Sequence, residues 1–174
     1  MIVLVALLAG ALQAAAAPDS TANTHVDGRV TRNMSGSFDV YEPWLRVNQW
    51  VSTWSGGASI SGSPLSGQVT RNGDSLRFFG PGLDADVHEF GGQFRVNATL
   101  SRPGQRPTHL AFTLQASGPL NDPNRPPMFS LLDAGANLRL NPSAGGRDYA
   151  LSGWVDPQRF GAEGVALVGI IAAM

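Results

Sequence analysis

The chain has 174 residues, 12 basic and 13 acidic side chains, a formal net charge of −1 and no cysteine. It can therefore form no disulfide, thiolate metal site or lipid-anchored cysteine, and a near-neutral chain without a basic run argues against a nucleic-acid partner. Every basic residue is arginine, which together with abundant alanine and glycine suggests a high-GC bacterial coding sequence.

In chain order, the first element is an apolar run from Met1 to Gly10 that passes into small residues. Ala14 and Ala16 fit the pattern that signal peptidase reads, and the run is shorter than the roughly 20 apolar residues of a transmembrane helix. Residues 1–16 are therefore expected to be a signal peptide, 17–29 a mobile mature N-terminus and 30–174 a single domain. The expected location is secreted or periplasmic, or at the cell surface, without stable membrane insertion.

Beyond this leader, short alternating or β-rich runs recur between glycine, asparagine and proline. The expected strands are Val26–Thr31, Ser35–Tyr41, Leu45–Trp54, Ala58–Ser63, Leu65–Thr70, Ser75–Phe79, Gly92–Leu100, His109–Ala116, Ala136–Leu140, Tyr149–Val155 and Val165–Ala172. Within Arg71–Asp74, Asn72-Gly73 predicts a hairpin with a type I′ turn. Phe129–Ala134 reads as a short helical turn, and the apolar run Gly164–Met174 as a buried final strand. An apolar–Ser–Gly unit recurs at Met34-Ser35-Gly36, Ile60-Ser61-Gly62, Leu65-Ser66-Gly67 and Leu151-Ser152-Gly153. Glycine inside a strand marks a bulge or a bend, of the kind a closed sheet needs at its corners. The fold class expected is all-β, an antiparallel up-and-down β-barrel of about eight or more strands.

Two stretches carry a family resemblance: Leu76-Arg77-Phe78-Phe79-Gly80-Pro81, and Glu89-Phe90-Gly91-Gly92-Gln93-Phe94. Together they resemble the GxFYGPxAxExGGxF signature of the β-barrel domain of the transferrin-binding protein B group, which includes factor H binding protein and the haem carrier hemophilin. The two halves stand further apart here than in that signature. A second echo, Arg159-Phe160-Gly161-Ala162-Glu163 leading to Val168-Gly169-Ile170-Ile171, has the C-terminal position of the family's motif. The resemblance implies a binding protein, not an enzyme, that holds a host protein, a haem or another nutrient at one end of a barrel. The lack of cysteine points to the secreted branch.

No nucleophile elbow, metal motif or phosphate-cradling loop is present in the sequence, so no catalytic or metal residue is assigned. Candidate ligand-binding residues are Trp50, Trp54, Arg46 and Asn48, which strand alternation places on one face, where they could form an aromatic platform at a barrel mouth. The competing reading of the two tryptophans is core packing or plugging of a barrel end. His88 and His109 are the histidines placed to act as an axial ligand if the cofactor is haem. Asp84, Asp86, His88 and Glu89 crowd what reads as one loop, where a divalent cation or plain solvation are the two alternatives. The partner is thus a small-molecule ligand or a protein. A structural or inhibitor-type barrel acting by protein contact alone is the alternative from another class, and an unrecognised enzyme a third.

Overall fold

The computed structural model describes residues 23–174 except 32–34, 43, 44, 102, 103, 105, 121, 123, 124, 134 and 144–147; the side chains of 31–46 also lie outside the description. The expected signal peptide and Trp44 therefore fall outside the described residues.

The described residues run through twelve strands and then one helix. They are β1 (Thr24–Thr31), β2 (Ser35–Glu42), β3 (Leu45–Trp54), β4 (Gly57–Ser63), β5 (Gly67–Asn72), β6 (Ser75–Gly80), β7 (Leu83–Phe90), β8 (Gln93–Leu100), β9 (Thr108–Ser117), β10 (Met128–Asp133), β11 (Ala136–Pro142), β12 (Asp148–Val155) and α1 (Gly161–Ala173). The fold is thus mostly antiparallel β, with one C-terminal helix. Each strand pairs with the next in sequence, and β12 turns back to pair with β1 from Thr24 opposite Val155 to Thr31 opposite Asp148. Arg29 of β1 forms an ion pair with Asp148 at the start of β12.

Alternation decides which side chains face in. Along β7, Leu83, Ala85 and Val87 are buried while Asp84 and His88 are exposed, and along β8, Phe94, Val96 and Ala98 alternate with exposed Arg95 and Asn97. Inward aromatic rings meet edge to face or tilted, Phe129 lying 6.0 Å from Phe94 and 5.6 Å from Tyr149 between ring centroids.

The inward face of the sheet covers α1. Val165, Ala166, Leu167, Val168 and Ile170 have no exposed surface, and the helix packs chiefly against β3. It enters beside Phe160, whose ring stands 5.2 Å from that of Phe112 on β9. It leaves at the opposite rim, where Met174 shares a shallow cavity of about 80 Å³ with Phe94, Leu120 and Phe129. Thirteen residues of helix span about 20 Å, comparable to the length of the strands around it.

Several expectations are corrected here. Val165–Ala172 is helix, not a final strand. A helix buried on every side shows no apolar stripe, so its periodicity is silent; a strand in its place would also need pairing partners that β1 and β12 already give each other. Leu83–Phe90 and Met128–Asp133 are strands, where the sequence predicts a loop and a helical turn. In β7 the outward acidic residues hide a regular alternation. Residues 24–29, expected in a mobile N-terminus, are part of β1, where Val26 is fully buried.

The hairpin after β5 is present, but its loop is Gly73-Asp74, with Asn72 opposite Ser75. Gly73 has φ +58° and Asp74 no positive φ, the pattern of type II′, which confines the left-handed conformation to a glycine where type I′ would also impose it on Asn72. The Ser-Gly units behave as bends: Gly153 has φ +142° while β12 keeps continuous register with both neighbours, so the backbone kinks without a bulge.

One buried amide ties the β4–β5 connection to β3. Gln49 is fully buried among apolar side chains, and its Nε2 donates to the carbonyl oxygens of Leu65 at 3.0 Å and Asn48 at 3.3 Å. Among the described residues its Oε1 has no partner. Replacing Gln49 with alanine should lower stability by about 1–3 kcal/mol, because the Leu65 carbonyl loses its donor. Gln49→Glu should cost more at neutral pH. There a carboxylate would face carbonyl oxygens without water, which raises its folded-state pKa, so the deficit against wild type should shrink near about pH 4. Urea midpoints at both pH values check this. Leu167→Ala, in the centre of α1, should cost about 2–5 kcal/mol by the same measurement.

Candidate functional site

The outward side of β3 carries Asn48, Trp50, Ser52 and Trp54, alternating with buried Val47, Gln49 and Val51. Trp50 is 52% and Trp54 49% exposed, unusually high for the largest side chain. Four residues of strand place the two tryptophan Cα atoms about 13 Å apart. Strand alternation therefore put both rings on one face as expected, but that face is the outer wall. They neither plug the interior, which α1 occupies, nor stand at a mouth.

Each ring is held by a neighbour. Trp50 Nε1 donates to Asn48 Oδ1 at 3.2 Å across the i, i+2 spacing of one strand face. Trp54 lies over Gly57: a Cβ added there would come within 3.1 Å of the indole and closer still to the Val69 carbonyl, so only glycine leaves room. Register puts Trp50 between Ser37 and Ser61, and Ser52 between Ser35 and Ser59. Gln68 and Thr70 continue the face on β5, opposite Ser59 and Gly57. Arg46 has a register position on the same side of β3, opposite Tyr41, and its side chain is outside the described residues.

This hydroxyl ladder is not among the residues expected from sequence. Its signal is the serine at every second position of the expected strand Ala58–Ser63, Ser59, Ser61 and Ser63, which forms a surface with the tryptophans only once β4 is placed beside β3.

Further round the same outer wall the character changes to charged. Arg77 of β6 donates from Nη1 to both carboxylate oxygens of Asp86, at 2.8 and 2.9 Å, and from Nη2 to Asp84 at 2.9 Å. The hydrogen bond to Asp86, with the charge of Asp84 beside it, raises the Arg77 pKa above its ordinary value. His88 lies on β7, not in a loop, and its Nδ1 is 3.0 Å from Ser75 Oγ. Glu89 belongs to the opposite side of the strand from Asp84, Asp86 and His88. The four groups expected to crowd together are thus divided by the strand, with both aspartates engaged by Arg77. Among the described residues no cluster of three or more metal-ligating side chains converges.

His109 faces outward on β9, its Nδ1 3.2 Å from Thr99 Oγ1. It borders an open cavity of about 310 Å³ with Leu110, Asp133, Gln158, Arg159 and Phe160. The cavity forms because β10 pairs with β9 only from Leu114 to Ser117, leaving Thr108–Thr113 without a strand on that side. The six candidate residues therefore fall into separate places: Asn48, Trp50 and Trp54, with the position of Arg46, on β3; His88 and His109 on β7 and β9, beyond three intervening strands.

No family model matches the chain, and no curated protein or solved structure is significantly similar to it.

Because the two rings stand on the outer wall, Trp50→Ala and Trp54→Ala should each change stability by no more than about 1 kcal/mol, against about 3–5 kcal/mol for a core tryptophan. Urea unfolding of the two variants checks the placement. A core-sized loss at either position would contradict it.

Proposed function

We propose that this chain is an exported bacterial binding protein built as an up-and-down β-barrel, and that it holds its ligand on the outer wall of the barrel, at Trp50, Trp54 and Asn48. The observation that carries the reading is the pair of half-exposed tryptophans fixed on one strand face, Trp50 by a hydrogen bond to Asn48. Leaving two such rings in water forgoes the burial that makes tryptophan valuable in a core, and holding them rigid prepares them for a contact from outside. The return of β12 to β1 supports the barrel, and its filled interior argues against a ligand held inside.

The resemblance to the transferrin-binding protein B group belongs to the same proposal. It is supported by inward-facing Phe78 and Phe94 and by the close approach of Gly80 to Gly67, where a Cβ on Gly80 would stand 2.8 Å from the Gly67 Cα. Phe79 and Phe90 of the same stretches face outward. The outer wall differs from the barrel end that the resemblance implies. Haem draws no support from His88 or His109, each of which shares its Nδ1 with a hydroxyl on an open polar face. The charged outward residues of β6 to β8 favour an aqueous setting over a bilayer.

The test compares wild type with the Trp50→Ala/Trp54→Ala double variant, both labelled, for saturable retention on bacterial envelope material. Retention should fall at least tenfold in the double variant while the urea midpoint stays close to wild type. Equal retention of the two proteins, or saturable retention of neither, overturns the reading. Mass spectrometry of the exported protein should find a mature N-terminus near Ala17 or Pro18; retention of Met1–Ala16 would remove the export part.

A further inference from the structure

We infer that the face formed by β3, β4 and β5 binds carbohydrate, its ligand an uncharged polysaccharide chain lying along β3 from Trp50 to Trp54. The inference rests on the outer-wall reading above and adds the chemistry of the ligand.

A sugar ring presents a flat apolar face of C–H groups and a rim of hydroxyls that both donate and accept. Its complement is an aromatic face beside groups that can also do both. The wall supplies this combination: two indole faces, the hydroxyls of Ser52, Ser59, Ser61 and Thr70, and the side-chain amide of Gln68. None of these positions is charged. The nearest charged register positions are Arg46 and Asp39, beyond Trp50 at the Asn48 end, and Arg77, which stands on β6 opposite Thr70 at the far edge of the face.

The neutrality distinguishes between occupants. A protein-binding centre couples its aromatics to arginine and to apolar neighbours, and a membrane-surface patch couples them to a basic rim. The stretch from Trp50 to Trp54 has neither: the arginine and the aromatic ring that come nearest on this side, Arg77 opposite Thr70 and Phe79 opposite Gln68, lie on β6, beyond β4 and β5.

Relief and spacing supply the rest. Beside the two rings β4 offers only glycine and serine, so nothing tall interrupts a chain laid flat over the sheet. A separation of about 13 Å exceeds one sugar ring, so the two stacking positions would engage different rings of one polymer. Affinity should then rise with chain length until both are covered, as expected of two linked contacts.

The probes are insoluble cellulose, chitin, xylan and mannan in sedimentation assays, and their soluble oligosaccharides in tryptophan fluorescence titrations. At least one of the four should bind, with affinity increasing from the disaccharide to longer chains. Trp50→Ala and Trp54→Ala should each weaken it at least tenfold, and Ser59→Glu, which raises a charge opposite Ser52 between the stacking positions, should weaken it comparably. Asp86→Asn, on the charged part of the wall, should leave it unchanged. Urea midpoints near wild type show that each variant is folded.

Absence of binding to all four polymers, or binding that survives the double tryptophan substitution, overturns the inference. Protease and periodate treatment of the envelope material separates it from the reading beneath. Tryptophan-dependent retention that protease destroys and periodate spares removes the carbohydrate and leaves the outer-wall site standing. Absence of tryptophan-dependent retention on the untreated material removes both.

Discussion

The pairing of β12 with β1 is the constraint on which the rest of the architecture depends. Once the last strand hydrogen-bonds to the first, most of the described strands are paired on both sides, the Thr108–Thr113 part of β9 excepted, and the inward or outward assignment of each described residue in the meander follows from its register. In the proposed barrel, a ring of about eight strands would be filled by its own side chains, whereas a larger one leaves space at the centre. With twelve strands the inward Val, Leu and Phe side chains cannot all reach across to one another. Helix α1 fills that space, which explains why it is apolar on every side and why it carries no charged residue after Glu163.

This filling decides where function can reside. Val165, Leu167, Val168 and Ile170 occupy the inward side of the sheet, so the proposed recognition is placed on the wall and not inside. The wall is chemically divided. One part is a charged lattice in which Arg77 neutralises two aspartates, and the other is a neutral surface of hydroxyls, amides and two indoles. Gln49 joins the two levels: its amide faces inward to hold the Leu65 carbonyl, directly behind the strand whose outward neighbours are Asn48 and Trp50. The position of β3 is thus tied to a buried polar contact.

Legibility in the sequence followed the surroundings of each element. β3 was read with its full boundaries because both of its faces obey strand periodicity and its β-branched and aromatic content is high. β7 was lost because Asp84, Asp86 and His88 look like a solvated loop, although their spacing is that of an outward strand face. β10 was lost because Met128–Asp133 is short and mostly apolar, where helix and strand patterns overlap. α1 was mistaken for a strand for the same reason, compounded by burial on all sides. Of the candidate site, the shared face of Asn48, Trp50 and Trp54 was visible from spacing alone. The serine ladder was not, since it exists only where β4 lies next to β3.

The sequence by itself determined the β class, most of the strands, the hairpin at Gly73 and the common face of the two tryptophans. All of these are set by local periodicity and turn chemistry within a few residues. Only the tertiary structure decided that this face looks outward, that the C-terminal apolar run is a helix inside the sheet, and that Asp84 and Asp86 answer to Arg77 instead of to a cation. Those outcomes turn on which strands become neighbours and on the space a closed register leaves to fill. Both are properties of the whole chain, and no local window of it contains them.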